Sequence, residues 1–430
     1  MTQKRKLAWR DLGDARVALM LALGFSAGLP LLLVFGTLSV RLREAGIPVT
    51  TIGLFSWLAL AYSLKFIWSP VVDAFDVPGL ARLLGRRRAW MVTCQFTIVL
   101  GLLGVALSDP ADSIAITAAC TFVVAFGSAT QDVVIDGWRI DAAPLEMQGI
   151  MAAAYQLGYR LALLCAGAGA LYIAEFVDWR VAYFSMAGLM VVGFGAALLS
   201  PIVDRAPAAG AVPPRFDFTQ AVKAPVADLY RRTGRVLIPI LALVALYRLP
   251  DFVAGVMSNP LYVDLGYTKV QIATVAKLYG VWIGIVGAFV GGFAVAKLGL
   301  YRTMLVGAVA SATSHGLFAW LSVQGGNLEA LVLAISFDNF AGSFAGTALV
   351  AYMSGLTGAG FSATQYALLS SLYALPGKIV GGVSGFMVTA WGYTVFFALT
   401  SAIALPVLAL IYVVGRAPAG GMREEGEAGA

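Results

Sequence analysis

Apolar runs of about twenty residues, each long enough to cross a bilayer as a helix, recur from one end of this 430-residue chain to the other. They constrain the fold more than any other feature. A chain that carries them has nowhere to put them except lipid, because no soluble core needs so much apolar surface. Composition agrees: 60% of residues are apolar and 12% charged, against about 45–50% and about 25% in soluble domains. The runs are continuous rather than alternating, so they read as helices and not as strands of a β-barrel.

Spans are expected at 17–40, 51–72, 90–108, 113–137, 149–174, 181–203, 236–258, 269–296, 301–323, 328–354, 362–389 and 393–415. The fold class is therefore an all-α membrane protein with 12 transmembrane helices. The first run is too long for the apolar core of a signal peptide and is read as the first span. With the N-terminus in the cytoplasm, the inner segments hold twenty Lys and Arg and the outer loops four. That asymmetry places both termini in the cytoplasm. It also accounts for the net charge of +6 without a nucleic-acid partner.

The longest connection, 204–235, contains Pro207, Pro213, Pro214, Pro225 and six basic residues, and it divides the spans six and six. The expected organisation is an N-terminal six-helix bundle over 1–203, a cytoplasmic linker over 204–235, a C-terminal six-helix bundle over 236–415 and a disordered tail over 416–430. A surface helix is expected near 216–232, with Val226 and Leu229 on its apolar face. Asp73 and Gly85-Arg86-Arg87-Arg88 after the second span are echoed by Gly292, Lys297, Gly299 and Arg302 after the eighth. This weak repeat resembles the short loop motif of the major facilitator superfamily, whose fold is two six-helix bundles.

Catalytic chemistry has little material here. Cys94, Cys120 and Cys165 lie in apolar runs without ligand spacing, and His315 is the single histidine. No metal site, no cofactor and no enzymatic activity are expected.

Besides Lys269, Arg302 and Glu329 at the span ends, nine charged residues remain inside the spans: Lys65, Asp132, Asp136, Arg160, Arg248, Asp251, Lys277, Asp338 and Lys378. Each costs about 2.5–3.5 kcal/mol at mid-membrane on insertion scales, so they must face a cavity or one another. The third, sixth, ninth and twelfth spans hold none of them, although His315 lies on the ninth. Those four spans are the outer, lipid-supporting helices of the major facilitator fold. Asp132 and Asp136, four apart, share a helix face and suit proton carriage, or else one of them pairs with Arg139 near the surface. Arg248 and Asp251 are three apart with Pro250 between them, which implies a break in the seventh span. Five basic and four acidic groups favour an anionic substrate, with Tyr62, Tyr155 and Tyr159 among the aromatics available to stack on sugar rings. Gly280, Gly284, Gly287 and Gly291 on the eighth span, and Gly377, Gly381 and Gly385 on the eleventh, allow close helix contact.

Several strings resemble the AmpG-like muropeptide permeases of the major facilitator superfamily. They are Tyr62, Lys65, Phe66, Trp68, Ser69, Pro70 and Asp73 with Gly85–Arg88 and Trp90; Ala129-Thr130-Gln131-Asp132 with Asp136, Trp138, Arg139 and Asp141; Gly158-Tyr159-Arg160-Leu161; Lys277 with its glycines; and Phe361 through Ser370. Asp338 and Lys378 depart from the family pattern. The resemblance implies a multi-pass permease in the bacterial inner membrane that imports N-acetylglucosaminyl-1,6-anhydro-N-acetylmuramyl peptides for peptidoglycan recycling and, in some bacteria, β-lactamase induction. Its partners would be an anionic glycopeptide, protons and membrane lipid.

On that reading Asp132 and Asp136 are proton-linked. Tyr62, Lys65, Gln131, Tyr159, Arg160, Lys277, Asp338, Gln365 and Lys378 bind substrate. Asp73 with Arg86, Arg87 and Arg88 forms a conformational latch. Another anionic solute such as acetyl-CoA, or a drug exported rather than imported, is the alternative.

Overall fold

The computed structural model describes residues 14–142, 147–203, 218–357 and 362–416. The described residues are helical and contain no strand. Ten stretches among them are long and apolar enough to cross a membrane. Nine correspond one to one with expected spans. The tenth, Leu368–Arg416, covers the last two expected spans and turns at Gly392, whose φ is +75°. Where the second span is expected there is a shorter apolar helix, Val49–Leu64. It is interrupted by a 3₁₀ turn at Ser56–Ala59 and followed by another at Lys65–Ile67. The linker residues 204–217 and the tail 417–430 lie outside the described residues.

Several spans begin where a polar side chain closes the first helical turn. Asp14 accepts from the Arg16 amide, Asp178 from that of Val181, and Asn327 from those of Glu329 and Ala330. Thr268 and Gln271 form a reciprocal capping box. Each satisfies amide donors that have no partner within the helix. Two other spans begin at glycine. Gly85 has φ 79° and ψ 162°, and Gly299 has φ 81° and ψ 162°. These nearly identical conformations belong to a region essentially confined to glycine. They sit at matching places in the repeat seen in the sequence.

The chain forms two compact units. The first comprises Met1–Pro48, Phe55–Ala211 and Thr268–Lys277. Its core gathers Met20, Leu23, Met91, Val134, Ile135 and Trp138, and the Trp138 indole donates to the Pro201 carbonyl at 3.2 Å. Ala15–Val34 lies directly on Gln148–Leu164. A methyl on Gly24 would meet the Tyr155 carbonyl, and one on Gly158 that of Leu21, so the backbones touch as small residues permit. Thr268–Lys277 is held here by Lys269, whose Nζ is 2.9 Å from Glu44 Oε1 and 3.3 Å from Glu175 Oε2. The Tyr172 and Thr274 hydroxyls add a 2.6 Å hydrogen bond.

The second unit comprises Val49–Leu54, Val212–Tyr267 and Leu278–Ala430. Leu243, Val244, Met304, Ala348, Tyr352 and Ile411 lie in its core. The glycines of Gly280–Leu298 face Leu328–Leu356, where Gly287 and Gly291 abut the Phe340 and Phe344 backbones. Gly385 likewise abuts Val49 and Thr50. The expected surface helix is Phe218–Thr233, with Leu229 buried and Val226 exposed. Phe96, Leu100, Phe289 and Phe293 are among the large apolar side chains left on the outside, where lipid solvates them.

Candidate functional sites in the two units

In the first unit, the 3₁₀ turn at Lys65–Ile67 and the long helix Ile114–Ala142 bring together the Lys65 ammonium and the Asp132 carboxylate, with Nζ 3.5 Å from Oδ2. The two side chains are 33% and 14% exposed, so each compensates the other's charge in a largely dry setting. The Tyr155 hydroxyl donates to Asp132 Oδ1 at 3.4 Å. The Tyr155 and Tyr159 rings lie 6.0 Å apart. Beside this pair, Trp68 donates to Thr130 at 3.0 Å. Gln131 is fully buried and accepts from Ser26 at 3.3 Å, while its amide nitrogen has no hydrogen-bond partner. The buried Tyr62 hydroxyl has none either, and the Tyr62 ring packs edge-on to Phe35. An anchoring cation, a carboxylate, phenol rings and unspent amide and hydroxyl groups are thus concentrated in one place.

Asp136 lies at the edge of this cluster, near enough for its charge to act on Asp132 and Tyr155. One turn beyond Asp132, it is 54% exposed and 3.4 Å from Arg139. Of the two arrangements open for the aspartates in the sequence, the surface pairing with Arg139 is the one this carboxylate adopts. Arg160 is exposed and has no ion pair among the described residues. Lys277 sits in a π-helical stretch, Ile272–Tyr279, with its aliphatic stem beside Gly167. π-Helical turns recur at functional positions.

Among the described residues, the basic cluster after Gly85 forms two ion pairs. Arg86 Nε is 2.6 Å from Asp76, and Arg87 Nη2 is 3.4 Å from Asp141. Arg87 crosses Gly137 so closely that a methyl there would fall 2.7 Å from Cζ. The Arg88 Nε is buried without a hydrogen-bond partner. The side chain of Asp73, the expected partner of these arginines, lies outside the described residues.

The second unit holds a polar cluster of its own. The seventh span breaks as Pro250 implies. One helix ends at Tyr247, Arg248 has φ −108° and ψ 2°, and the next helix starts at Leu249 with proline in its first turn. Proline is pre-organised for that position because its missing amide has no helical partner there. The break leaves Arg248 Nε 3.5 Å from Asp251 Oδ2 and turns Arg248 Nη1 to the Gly342 carbonyl. Ser311 donates to Asp251 Oδ1 at 2.9 Å, and Ser314 to Asp338 Oδ1 at 3.4 Å. His315, 1% exposed, places Nε2 3.6 Å from Asp251 Oδ1. Arg248, Asp251, His315, Asp338 and Asn339 line a cavity of about 210 Å³.

Sequence reasoning assigned His315 no role, because it lies in an apolar run on a span with no other charge in its interior. The available signal was its spacing: Ser311 and His315 are four apart and Ser314 is adjacent, so all three present one polar stripe. Gln365 accepts from Arg232 at 3.0 Å and donates to Asp228 at 2.9 Å. Arg232 also donates to the Leu356 carbonyl at 2.9 Å. Gln365 therefore anchors Phe218–Thr233. Lys378 is half-buried on Ser362–Ala402.

Apolar helices of spanning length that hold clusters of charged side chains between them suit a membrane transport protein. The chain belongs to the major facilitator superfamily, whose family model matches residues 15–375, and within it to the AmpG-like permeases. It is 36% identical over 405 residues to the putative transporter AmpG 4 of Rickettsia felis, covering 94% of this chain and 97% of that one. It is also 36% identical over 401 residues to the anhydromuropeptide permease of Escherichia coli K12, covering 93% and 79%. Among solved structures, a POT family transporter in complex with a thioalcohol-conjugated peptide matches with TM-score 0.69 at 12% identity, over 93% of this chain and 96% of that one. The nucleoside transporter NupG matches with TM-score 0.67 at 13% identity, over 94% and 100%. These structures share the fold. The chain is accordingly a multi-pass protein of the inner membrane.

Proposed function

We propose that this permease imports anhydromuropeptides by proton-coupled alternating access. On this reading it crosses the membrane twelve times, counting Val49–Leu64 and both arms of the Leu368–Arg416 stretch, with both termini in the cytoplasm. The observation that carries the proposal is the Lys65–Asp132 pair at 3.5 Å. A carboxylate of the substrate peptide competes with Asp132 for the ammonium. Asp132, deprived of its counter-charge in a dry site, is then neutralised by a proton. Binding of an anionic peptide and uptake of a proton are coupled through one lysine. The adjacent tyrosines offer flat apolar faces and hydroxyls to the sugars, and the unpaired Gln131 amide and Tyr62 hydroxyl offer hydrogen bonds. Identity to a relative named anhydromuropeptide permease supports the choice of substrate.

Uptake of a labelled disaccharide-peptide into right-side-out vesicles, with and without an imposed proton gradient, tests this. Gradient-dependent accumulation is expected, with loss on Asp132→Asn. Absence of uptake in both conditions would exclude the substrate, and full gradient-driven accumulation by Asp132→Asn would exclude its proton role.

A further inference from the structure

The cluster in the second unit is out of electrical balance. It contains one guanidinium, Arg248, and two carboxylates, Asp251 and Asp338. With His315 neutral, the charged groups lining the cavity leave one negative charge uncompensated. Burying such a charge is costly, and one proton on His315 removes it. Both imidazole nitrogens are buried without a hydrogen-bond partner, an unusual state for a histidine that is 1% exposed. Its Nε2 is aimed at Asp251 Oδ1 from 3.6 Å, a separation that protonation would draw in to a charge-assisted hydrogen bond.

Among the described residues, those that line the two cavities beside His315 include the following, helix by helix. Leu249–Asp264 supplies Asp251, with Arg248 at its start, and also Tyr262 beside Asp338. Leu237–Tyr247 supplies the Tyr247 hydroxyl, which is committed to the Met304 carbonyl at 2.9 Å. Leu328–Leu356 supplies Asp338, and His315's own helix supplies Ser311 and Ser314. Ser362–Ala402 and Ala404–Arg416 contribute Thr400, Ala404 and Val407 to the neighbouring cavity wall, none of them charged. Thus one arginine stands against two carboxylates, and the imidazole is the adjustable member. Ser314, adjacent to His315 and bonded to Asp338, links the two carboxylates through the histidine's own turn.

We propose that His315, with Asp251 and Asp338, forms a second proton-binding site, separate from Asp132, and that its loading is coupled to solute movement. The coupling rests on the reading of this chain as a proton-driven permease; the site itself does not.

Because the chain has a single histidine, ring-¹⁵N-histidine labelling of protein purified without a histidine tag and reconstituted in liposomes gives one imidazole to follow. Its signal is expected to pass from the neutral to the doubly protonated pattern as the pH is lowered. Asp251→Asn and Asp338→Asn should displace the midpoint, and the exposed Asp112→Asn of the other unit should not. A signal constant at every pH at which the protein stays folded, or a midpoint indifferent to both carboxylate variants, would overturn the site. So would titration by NaCl but not choline chloride at fixed pH, which would assign the cluster to an alkali cation.

For the coupling, His315→Gln should retain solute exchange without a gradient. It should lose the roughly tenfold accumulation that one coupled proton sustains per pH unit. Wild-type accumulation by His315→Gln would overturn the coupling. If wild-type protein moved no anhydromuropeptide while His315 titrated as described, the substrate assignment would fall and the proton site would stand.

Discussion

Lys65 Nζ stands 3.5 Å from Asp132 Oδ2, joining a 3₁₀ turn after the second apolar helix to the C-terminal half of Ile114–Ala142. The two groups serve as each other's counter-ion, so removing either alone leaves a charge in a partly dry setting, and removing both does not. Lys65→Ala and Asp132→Ala should each lower the thermal midpoint of the detergent-solubilised protein. The double variant should be more stable than the two losses summed, by about 0.5–3 kcal/mol. Strict additivity in this double-mutant cycle would show that the pair is not coupled.

Gly299 adopts φ 81° and ψ 162° with nothing within 4 Å of the position a Cβ would occupy. Alanine there meets no neighbour, so its effect is purely conformational. Gly299→Ala should cost about 1–3 kcal/mol, read as a lowered unfolding midpoint. Gly316→Ala, at a helical glycine with equally open surroundings, should be neutral or slightly stabilising by about 0.5–1 kcal/mol. Equal effects of the two changes would rule out the backbone explanation.

Gln365 bridges Asp228 and Arg232 and so ties Phe218–Thr233 to the start of Ser362–Ala402. Gln365→Glu places a carboxylate against Asp228 in place of a donating amide, whereas Gln365→Met only removes the hydrogen bonds. Amide exchange across 226–233 should accelerate in both variants, more in the glutamate, by about tenfold for each 1.4 kcal/mol of lost anchoring. Unchanged exchange in both variants would show that the helix is held by other contacts.

Lys269 serves two carboxylates, Glu44 at 2.9 Å and Glu175 at 3.3 Å, and Glu44 also accepts from the Trp179 indole at 2.7 Å. Lys269→Met leaves both acids facing each other without a cation. It should destabilise more than Glu44→Gln or Glu175→Gln, since each of those retains one ion pair. The ordering of the three midpoints is the test, and an equal or smaller loss for Lys269→Met would refute it.

Much of the architecture was legible in the sequence because lipid imposes a local rule. Every apolar run of spanning length becomes a helix, since its backbone must satisfy its own hydrogen bonds. The break at Pro250 was legible for a similarly local reason, and the glycine turns at Gly85 and Gly299 were visible as a repeat. Lys65 and Asp132 were both marked as intramembrane charges, though nothing in their spacing paired them across 67 positions. Asp132 and Asp136 looked like one device because helical periodicity places them on one face. That periodicity reports angle, not depth, and one further turn carries Asp136 to an exposed position beside Arg139.

The sequence by itself determined that this chain lives in a membrane, which segments are helical, and which charges have to be hidden, because those follow from composition and from contacts within single helices. Tertiary structure alone decided who hides whom. It gave Asp132 to Lys65, Gln365 to Arg232 and Asp228, and His315 to Asp251. It also placed Thr268–Lys277 in the first unit and Val49–Leu54 in the second. Pairing across tens or hundreds of residues depends on how helices pack. That packing is set by the summed fit of glycine faces and apolar side chains, which no local pattern records.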